Sequence, residues 1–285
     1  MTHALIGRRI IMKNVGVCEW CLPVWGPDSI YFAAHVGFEG VQLTDLGGPQ
    51  KGFPMTNQRI REGYIQASEE TGVVLHSMHL HSLPREGGMI YPLDSPKGEA
   101  TMLALRNGID SCQAMGIMIL NLSVFLKSAI KNDYDFDNFI ASIRYAVEYG
   151  KDHGVTVVYE PSVTLEQTLK ILELVPEIKI NHDLLNRSSR NPQVEIPALV
   201  SVIDHIHIKD AHRDMFGRIS GPCFAGEGVG RVVESVALLN NLDYNNWYLS
   251  ESDYIKPDAY GLDGNITNIC RKDLEIIREI IRTAR

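Results

Sequence analysis

Along the chain, short runs of β-branched and other apolar residues closed by polar ones alternate with longer stretches whose apolar positions recur at helical spacing. A continuous alternation of these two patterns is the signature of βαβ units. Eight strands are predicted: Asn14 to Trp20, Gly40 to Thr44, Val73 to His79, Met118 to Ser123, Thr156 to Glu160, Lys179 to Asp183, His205 to Lys209 and Trp247 to Glu251. A helix is predicted over Asn138 to His153, where Phe139, Ile143, Ala146 and Val147 follow the i, i+4, i+7, i+8 spacing of one buried face. Gly154 supplies the left-handed residue that ends it. Leu165 to Leu174, Gly230 to Leu239 and Arg271 to Thr283 read in the same way.

Eight strand and helix pairs in 285 residues leave about 36 residues per unit, the size of a (β/α)₈ barrel with moderate loops. No Pro/Gly/Ser-rich linker divides them. The expectation is therefore a single α/β domain, a TIM barrel over residues 13–285, preceded by a tail over residues 1–12.

Composition narrows the function rather than the fold. An apolar content of 45% with 22% charged residues excludes a disordered or coiled-coil chain. The net charge of −8 and the lack of a basic stripe speak against a nucleic-acid partner. No run approaches the roughly 18 apolar residues of a membrane span, and no signal-peptide pattern opens the chain, so a cytoplasmic protein is expected. The five cysteines, Cys18, Cys21, Cys112, Cys223 and Cys270, are odd in number and scattered, as reduced thiols are. Cys18 and Cys21 form a C-x-x-C, but no second pair completes a zinc ribbon and the pair closes a strand, so it reads as structural.

In a barrel the C-terminal ends of the strands converge, so what each strand ends with matters most. The last four end in Glu160, Asp183, His207 and Glu251, with gaps of 183 − 160 = 23, 207 − 183 = 24 and 251 − 207 = 44 residues. The long third gap holds an extended loop, Asp210 to Gly230. Three carboxylates and one imidazole, one per successive strand, make an oxygen-rich set suited to one divalent ion, Mn²⁺ foremost, with Mg²⁺, Co²⁺ or Zn²⁺ as alternatives.

These residues carry a resemblance. Val157-Val158-Tyr159-Glu160-Pro161, Ile180-Asn181-His182-Asp183, His205-Ile206-His207-Ile208-Lys209-Asp210, Gly226-Glu227-Gly228-Val229-Gly230 and Tyr248-Leu249-Ser250-Glu251 are similar to the motifs of the xylose isomerase-like TIM barrels, the superfamily of sugar isomerases and D-tagatose 3-epimerase-like enzymes. The resemblance spans nearly the whole chain. It implies that Glu160, Asp183, His207 and Glu251 bind one metal and that Arg213, six residues past the His, contacts substrate oxygens. Two positions depart from the pattern: Gln42 stands where many members carry a strand-two Glu, and Asn186 where epimerases often carry a His. An amide can hold a hydroxyl but cannot accept a proton.

Further candidates for the substrate are His79 and His81, which share a face of strand three. Their other reading is a solvated loop His and a His hydrogen-bonded behind the ligands. Glu19, at the end of strand one, reads equally as a substrate contact or as an ion-pair partner of Lys209. His205 points inward but deeper and reads as a buried neutral imidazole; Lys209-Asp210 reads as an anchor between neighbouring strand ends, and Gly226 to Gly230 as the turn into a helix.

The resulting expectation is a metal-dependent isomerase that moves a proton α to the carbonyl of a ketose or sugar phosphate, as a 3-epimerase or aldose-ketose isomerase. Glu160 and Glu251 serve in it as the acid/base pair. The alternative on the same site is a lyase, such as a keto-inositol dehydratase, because elimination begins with the same proton abstraction. Phosphodiester cleavage of the AP-endonuclease type would need more metal ligands and a basic DNA face. A non-enzymatic metal or sugar binder would leave the paired carboxylates unexplained. The expected partner is a small sugar, with neither nucleic acid nor membrane, and the expected assembly is a homo-oligomer.

Overall fold

The computed structural model describes residues 13–48, 51–187, 189–261 and 264–285; the expected tail over residues 1–12 lies outside them. Eight parallel strands close a barrel: β1 (Val15–Cys18), β2 (Gly40–Thr44), β3 (Val74–His79), β4 (Ile119–Ser123), β5 (Thr156–Glu160), β6 (Lys179–Asp183), β7 (Ile203–Ile208) and β10 (Tyr248–Ser250). Their order around the barrel is β1-β10-β7-β6-β5-β4-β3-β2. The expected single (β/α)₈ barrel is thus what the chain forms. Between β7 and β10 the long loop carries an antiparallel hairpin, β8 (Asp210–Arg213) and β9 (Ile219–Cys223), which the strand periodicity did not reveal.

The helices are α1 (Pro27–Val36), α2 (Gln58–Thr71), α3 (Ser82–Glu86), α4 (Pro96–Ala114), α5 (Asp133–Asp152), α6 (Leu165–Leu174), α7 (Pro192–Leu199), α8 (Val232–Asn241) and α9 (Ile266–Thr283). The expected stretch at Asn138 starts five residues earlier, because the Asn132 side chain caps the amide of Asp135 and the first turn is acidic rather than apolar. Gly154, at φ +70°, takes the left-handed turn expected of it. The Thr164–Gln167 capping box begins α6 at Leu165, where the sequence placed it. Strand one is shorter than predicted: the chain turns after Cys18 into a single 3-10 turn over Glu19–Cys21.

Alternation along the strands sorts the side chains between the two faces. On β5, Tyr159 turns outward and its ring meets Phe139 of α5 at 5.1 Å between centroids. At the lower end the barrel is tight: a Cβ on Gly16 would stand 2.7 Å from the Gly40 carbonyl oxygen and from the Leu249 side chain, so only glycine fits there. Ile269, Leu274, Ile277 and Ile281 of α9 are buried along one face of that helix. All five cysteines are free and buried, in line with the structural reading of Cys18 and Cys21. No helix among the described residues is long and apolar enough to cross a membrane.

Candidate active site

Glu160 ends β5, Asp183 ends β6, His207 lies one residue before the end of β7 and Glu251 follows β10. Because β5, β6, β7 and β10 are neighbours around the barrel, the four side chains meet. Donor atoms of Glu160, Asp183 and His207 all lie within 4.8 Å of one another. Glu251 Oε2 stands 3.2 Å from His207 Nδ1. All four are largely or wholly buried, and Lys209 reaches in from β7 to place its ammonium 2.7 Å from Asp183 Oδ2 and 2.5 Å from Glu251 Oε2. Lys209 therefore anchors neighbouring strand ends, as its sequence position suggested.

The electrostatics follow from three carboxylates facing one ammonium and one imidazole where little water reaches. Burial, then Glu251 and Asp183, push the Glu160 carboxyl up to about 7. Glu251 is held well below the usual carboxylate range; burial works against this, and Lys209 and His207 outweigh it. Burial alone would lower His207, but the adjacent Glu251 raises it. The site thus keeps one carboxylate firmly charged beside one that takes up a proton near neutrality. Such surplus negative charge, presented by two carboxylate donors and an imidazole within 4.8 Å, fits a divalent cation chemically.

Supporting residues hold this set in place. Gln42 is fully buried beneath the cluster: its Oε1 accepts from His207 Nε2 at 2.8 Å, and its amide donates to Ser77 Oγ at 2.9 Å. The β2 pleat turns it inward, where it is placed to orient the imidazole. Asn186 donates from its side chain to Glu160 Oε1 at 3.0 Å and from its backbone to Asp183 Oδ1 at 2.8 Å, so it clamps two of the carboxylates. His205 is buried, lowered by burial, and hydrogen-bonded to Asp204, as read.

Glu19 forms no ion pair with Lys209, whose carboxylate partners among the described residues are Asp183 and Glu251. The 3-10 turn after β1 swings it away from Lys209, and its buried carboxylate accepts from the amides of Gly26 and Thr44, from Ser29 Oγ and from the Tyr64 hydroxyl. With four donors satisfied, it ties the loop after β1 to its neighbours. Arg213 lies exposed on the β8–β9 hairpin, with its guanidinium on the Gly217 carbonyl at 2.6 Å, and is not brought to the cluster. Asp210 accepts from the amides of Ala211, Gly226, Gly228 and Gly230, which makes the glycine-rich segment a turn wound about a carboxylate.

A cavity of about 710 Å³ opens over Lys209 and Glu251 and is lined by Trp20, Trp25, Thr44 and His81 among others. His81 is in its wall, its ring 4.6 Å from that of Trp20. His79 lies beneath with Nε2 on Ser123 Oγ at 2.9 Å, and its Nδ1 has no partner among the described residues. The sequence reading missed Trp20 and Asn181. The Trp20 indole donates to Glu251 Oε1 at 3.1 Å, and the Asn181 amide lies 3.1 Å from both ring nitrogens of His207. Asn181 was legible in principle, since strand alternation puts it on the same face as Asp183; Trp20 was not, because a 3-10 turn carries it.

The chain is 28% identical over 234 residues to a 2-epi-5-epi-valiolone 7-phosphate 2-epimerase of Actinoplanes sp., covering 79% of this chain and 82% of that one. Its fold superimposes on a D-allulose 3-epimerase from Methylomonas sp. in complex with D-allulose, with a TM-score of 0.72 at 16% identity over 94% of this chain and 97% of that one. It also superimposes on a xylose isomerase-like TIM barrel protein from Mycobacterium smegmatis in complex with magnesium, with a TM-score of 0.69 at 16% identity over 95% and 97% of the two chains. The family described as xylose isomerase-like TIM barrel matches residues 30–280, nearly the whole barrel. A closed parallel barrel with acids and a histidine gathered at the ends of four adjacent strands thus places this chain in the xylose isomerase-like TIM barrel family.

Proposed function

We propose that the protein is a divalent-metal-dependent isomerase or epimerase acting on a polyhydroxylated ketone, moving a proton on the carbon next to the carbonyl. The observation that carries this reading is the placement of Glu160 and Glu251 at the two ends of a four-strand arc, with Asp183 and His207 between them. An epimerase removes a proton from one face of a carbon and returns one to the other, and two carboxyl groups flanking one binding position can divide that work. Sugar and cyclitol epimerase names among relatives and fold neighbours point the same way.

Glu160, Asp183, His207 and Glu251 would hold the ion. When bound, the ion would supply positive charge against the oxygens that become negative as the α-proton leaves. The remaining work belongs to the chain itself. Glu251, kept ionised by Lys209 and His207, accepts the proton; Glu160, whose Oε1 is held by Asn186, delivers one from its own side. Trp20 fixes the Glu251 carboxylate by its indole N–H, and Trp20 and Trp25 form apolar walls of the cavity that limit water around the reacting carbon.

The test is isotopic. Manganese-loaded protein incubated with a panel of ketoses in D₂O should return sugar carrying deuterium next to the carbonyl, read by proton NMR. An ultraviolet-absorbing product with unlabelled residual substrate would replace this reading with elimination.

A further inference from the structure

Away from Lys209 and Glu251, the same cavity extends toward the loops that follow β2, β3 and β4, and there its wall changes character. Lys51 from the loop after β2, Arg85 from α3 and Lys127 from the turn after β4 all line it. Among the described residues none of these three side chains makes a hydrogen bond or an ion pair. In a chain of net charge −8, three cations without a direct partner among the described residues thus gather on one stretch of cavity wall.

Among the described residues the acids nearby, Asp45 and Glu86, form no ion pair with these three cations. Asp45 is committed to α3 and its own loop: it accepts from Ser82 N at 3.2 Å, Ser82 Oγ at 2.5 Å and Gly47 N at 3.2 Å. Burial and Asp45 raise the Glu86 carboxyl from its ordinary value, and Lys127 works in the opposite direction. His81 joins the two ends of the cavity. Burial and then Arg85 lower its ring to about 4, while Glu251 pulls the other way, so it sits within electrostatic reach of both the cationic wall and the carboxylate cluster.

We propose that Arg85 and Lys127, with Lys51 at the rim, form an anion subsite, and that the substrate is a phosphorylated polyol ketone whose phosphate monoester lies there while its carbonyl end lies at Glu160 and Glu251. The substrate half of this rests on the isomerase reading above; the subsite does not. A phosphate monoester near neutrality carries close to two charges on three oxygens, which suits one guanidinium fork and two ammonium groups better than a hydroxyl would. A cavity of about 710 Å³ has room for a ketose phosphate or a phosphorylated cyclitol.

Two measurements test it. In the first, inorganic phosphate is titrated into the protein in EDTA against potassium chloride of equal ionic strength, and the melting temperature is followed. Wild type should show a saturating rise. Arg85→Gln/Lys127→Gln should lose it while melting like wild type without phosphate, since neither side chain makes a hydrogen bond or ion pair among the described residues. In the second, manganese-loaded protein exchanges deuterium into D-ribulose 5-phosphate and D-ribulose, and into D-fructose 6-phosphate and D-fructose. Phosphorylated members should be favoured in kcat/KM by at least about tenfold, the scale of one charge-assisted hydrogen bond. In the double variant that ratio should collapse toward one. A phosphate-induced rise equal in wild type and double variant, or none in either, overturns the subsite. Phosphate binding that depends on Arg85 and Lys127, with no exchange into any ketose, upholds the subsite and overturns the isomerase reading; equal exchange into free and phosphorylated ketoses upholds the isomerase reading and overturns the phosphorylated substrate.

Discussion

Lys209 Nζ lies 2.5 Å from Glu251 Oε2 and is the ammonium that offsets the carboxylates of the site. Its second contact, to Asp183 Oδ2 at 2.7 Å, spans from β10 across β7 to β6. Lys209→Met removes that charge and leaves the acids facing one another. Metal-free Lys209→Met should lose roughly 3 kcal/mol, the low end for breaking a buried ion pair. Saturating Mn²⁺ should recover most of the loss, because a divalent ion neutralises the same carboxylates. Chemical denaturation with and without Mn²⁺ measures both. An equal deficit in the two conditions would mean that the ion binds elsewhere.

The ligand assignment makes a separate demand. Wild type should hold about one divalent ion per chain after reconstitution, whereas Asp183→Ala and His207→Ala should hold none by elemental analysis. Mn²⁺ should raise the melting temperature of wild type by mass action and leave Glu160→Gln/Glu251→Gln unshifted. Stoichiometric metal in Asp183→Ala would remove Asp183 from the ligand set.

Gln42 acts through His207. Replacing it with Leu deprives His207 Nε2 of the acceptor at 2.8 Å and frees the ring to turn. Gln42→Leu should weaken Mn²⁺ binding by about 10- to 100-fold, the usual cost of losing a group that orients a metal ligand, and Gln42→Glu, which retains an acceptor, should recover part of it. Isothermal titration of Mn²⁺ into the three proteins decides; unchanged affinity in Gln42→Leu would reduce Gln42 to packing.

The lower barrel predicts an acid response independent of metal. Burial, then His205, lower His76 from 6.5 to about 3. The folded protein therefore keeps His76 neutral while the unfolded chain takes up its proton. Its share of stability is fully present above pH 6.5 and is lost as pH falls from there toward 3, at about 1.4 kcal/mol per pH unit. In EDTA, His76→Leu should show a shallower loss of unfolding free energy over that range than wild type. Parallel curves would mean that His76 is protonated in the folded state.

The periodicity of the chain was enough to determine the barrel, because a parallel strand buried on both faces and the helix covering it each leave a local pattern, and eight such pairs leave one closed solution. Strands β2, β5 and β6 begin and end at the residues read from that pattern. It also brought together the cluster of acids and histidine, since Glu160, Asp183, His207 and Glu251 lie at or beside strand ends and strand ends converge whatever the loops do. What each remaining polar residue does was decided only by tertiary structure. Glu19 and Trp20 are neighbours in sequence, yet a 3-10 turn sends the acid into a ring of four donors and the indole onto Glu251. Gln42 and Asn186 were both read as substrate contacts; a pleat buries the first beneath His207, and a turn sets the second against Glu160. The cationic wall of Lys51, Arg85 and Lys127 joins three loops far apart in sequence. No local period encodes such a meeting, because loop conformations are set by the hydrogen bonds and charges they find only after the barrel has closed.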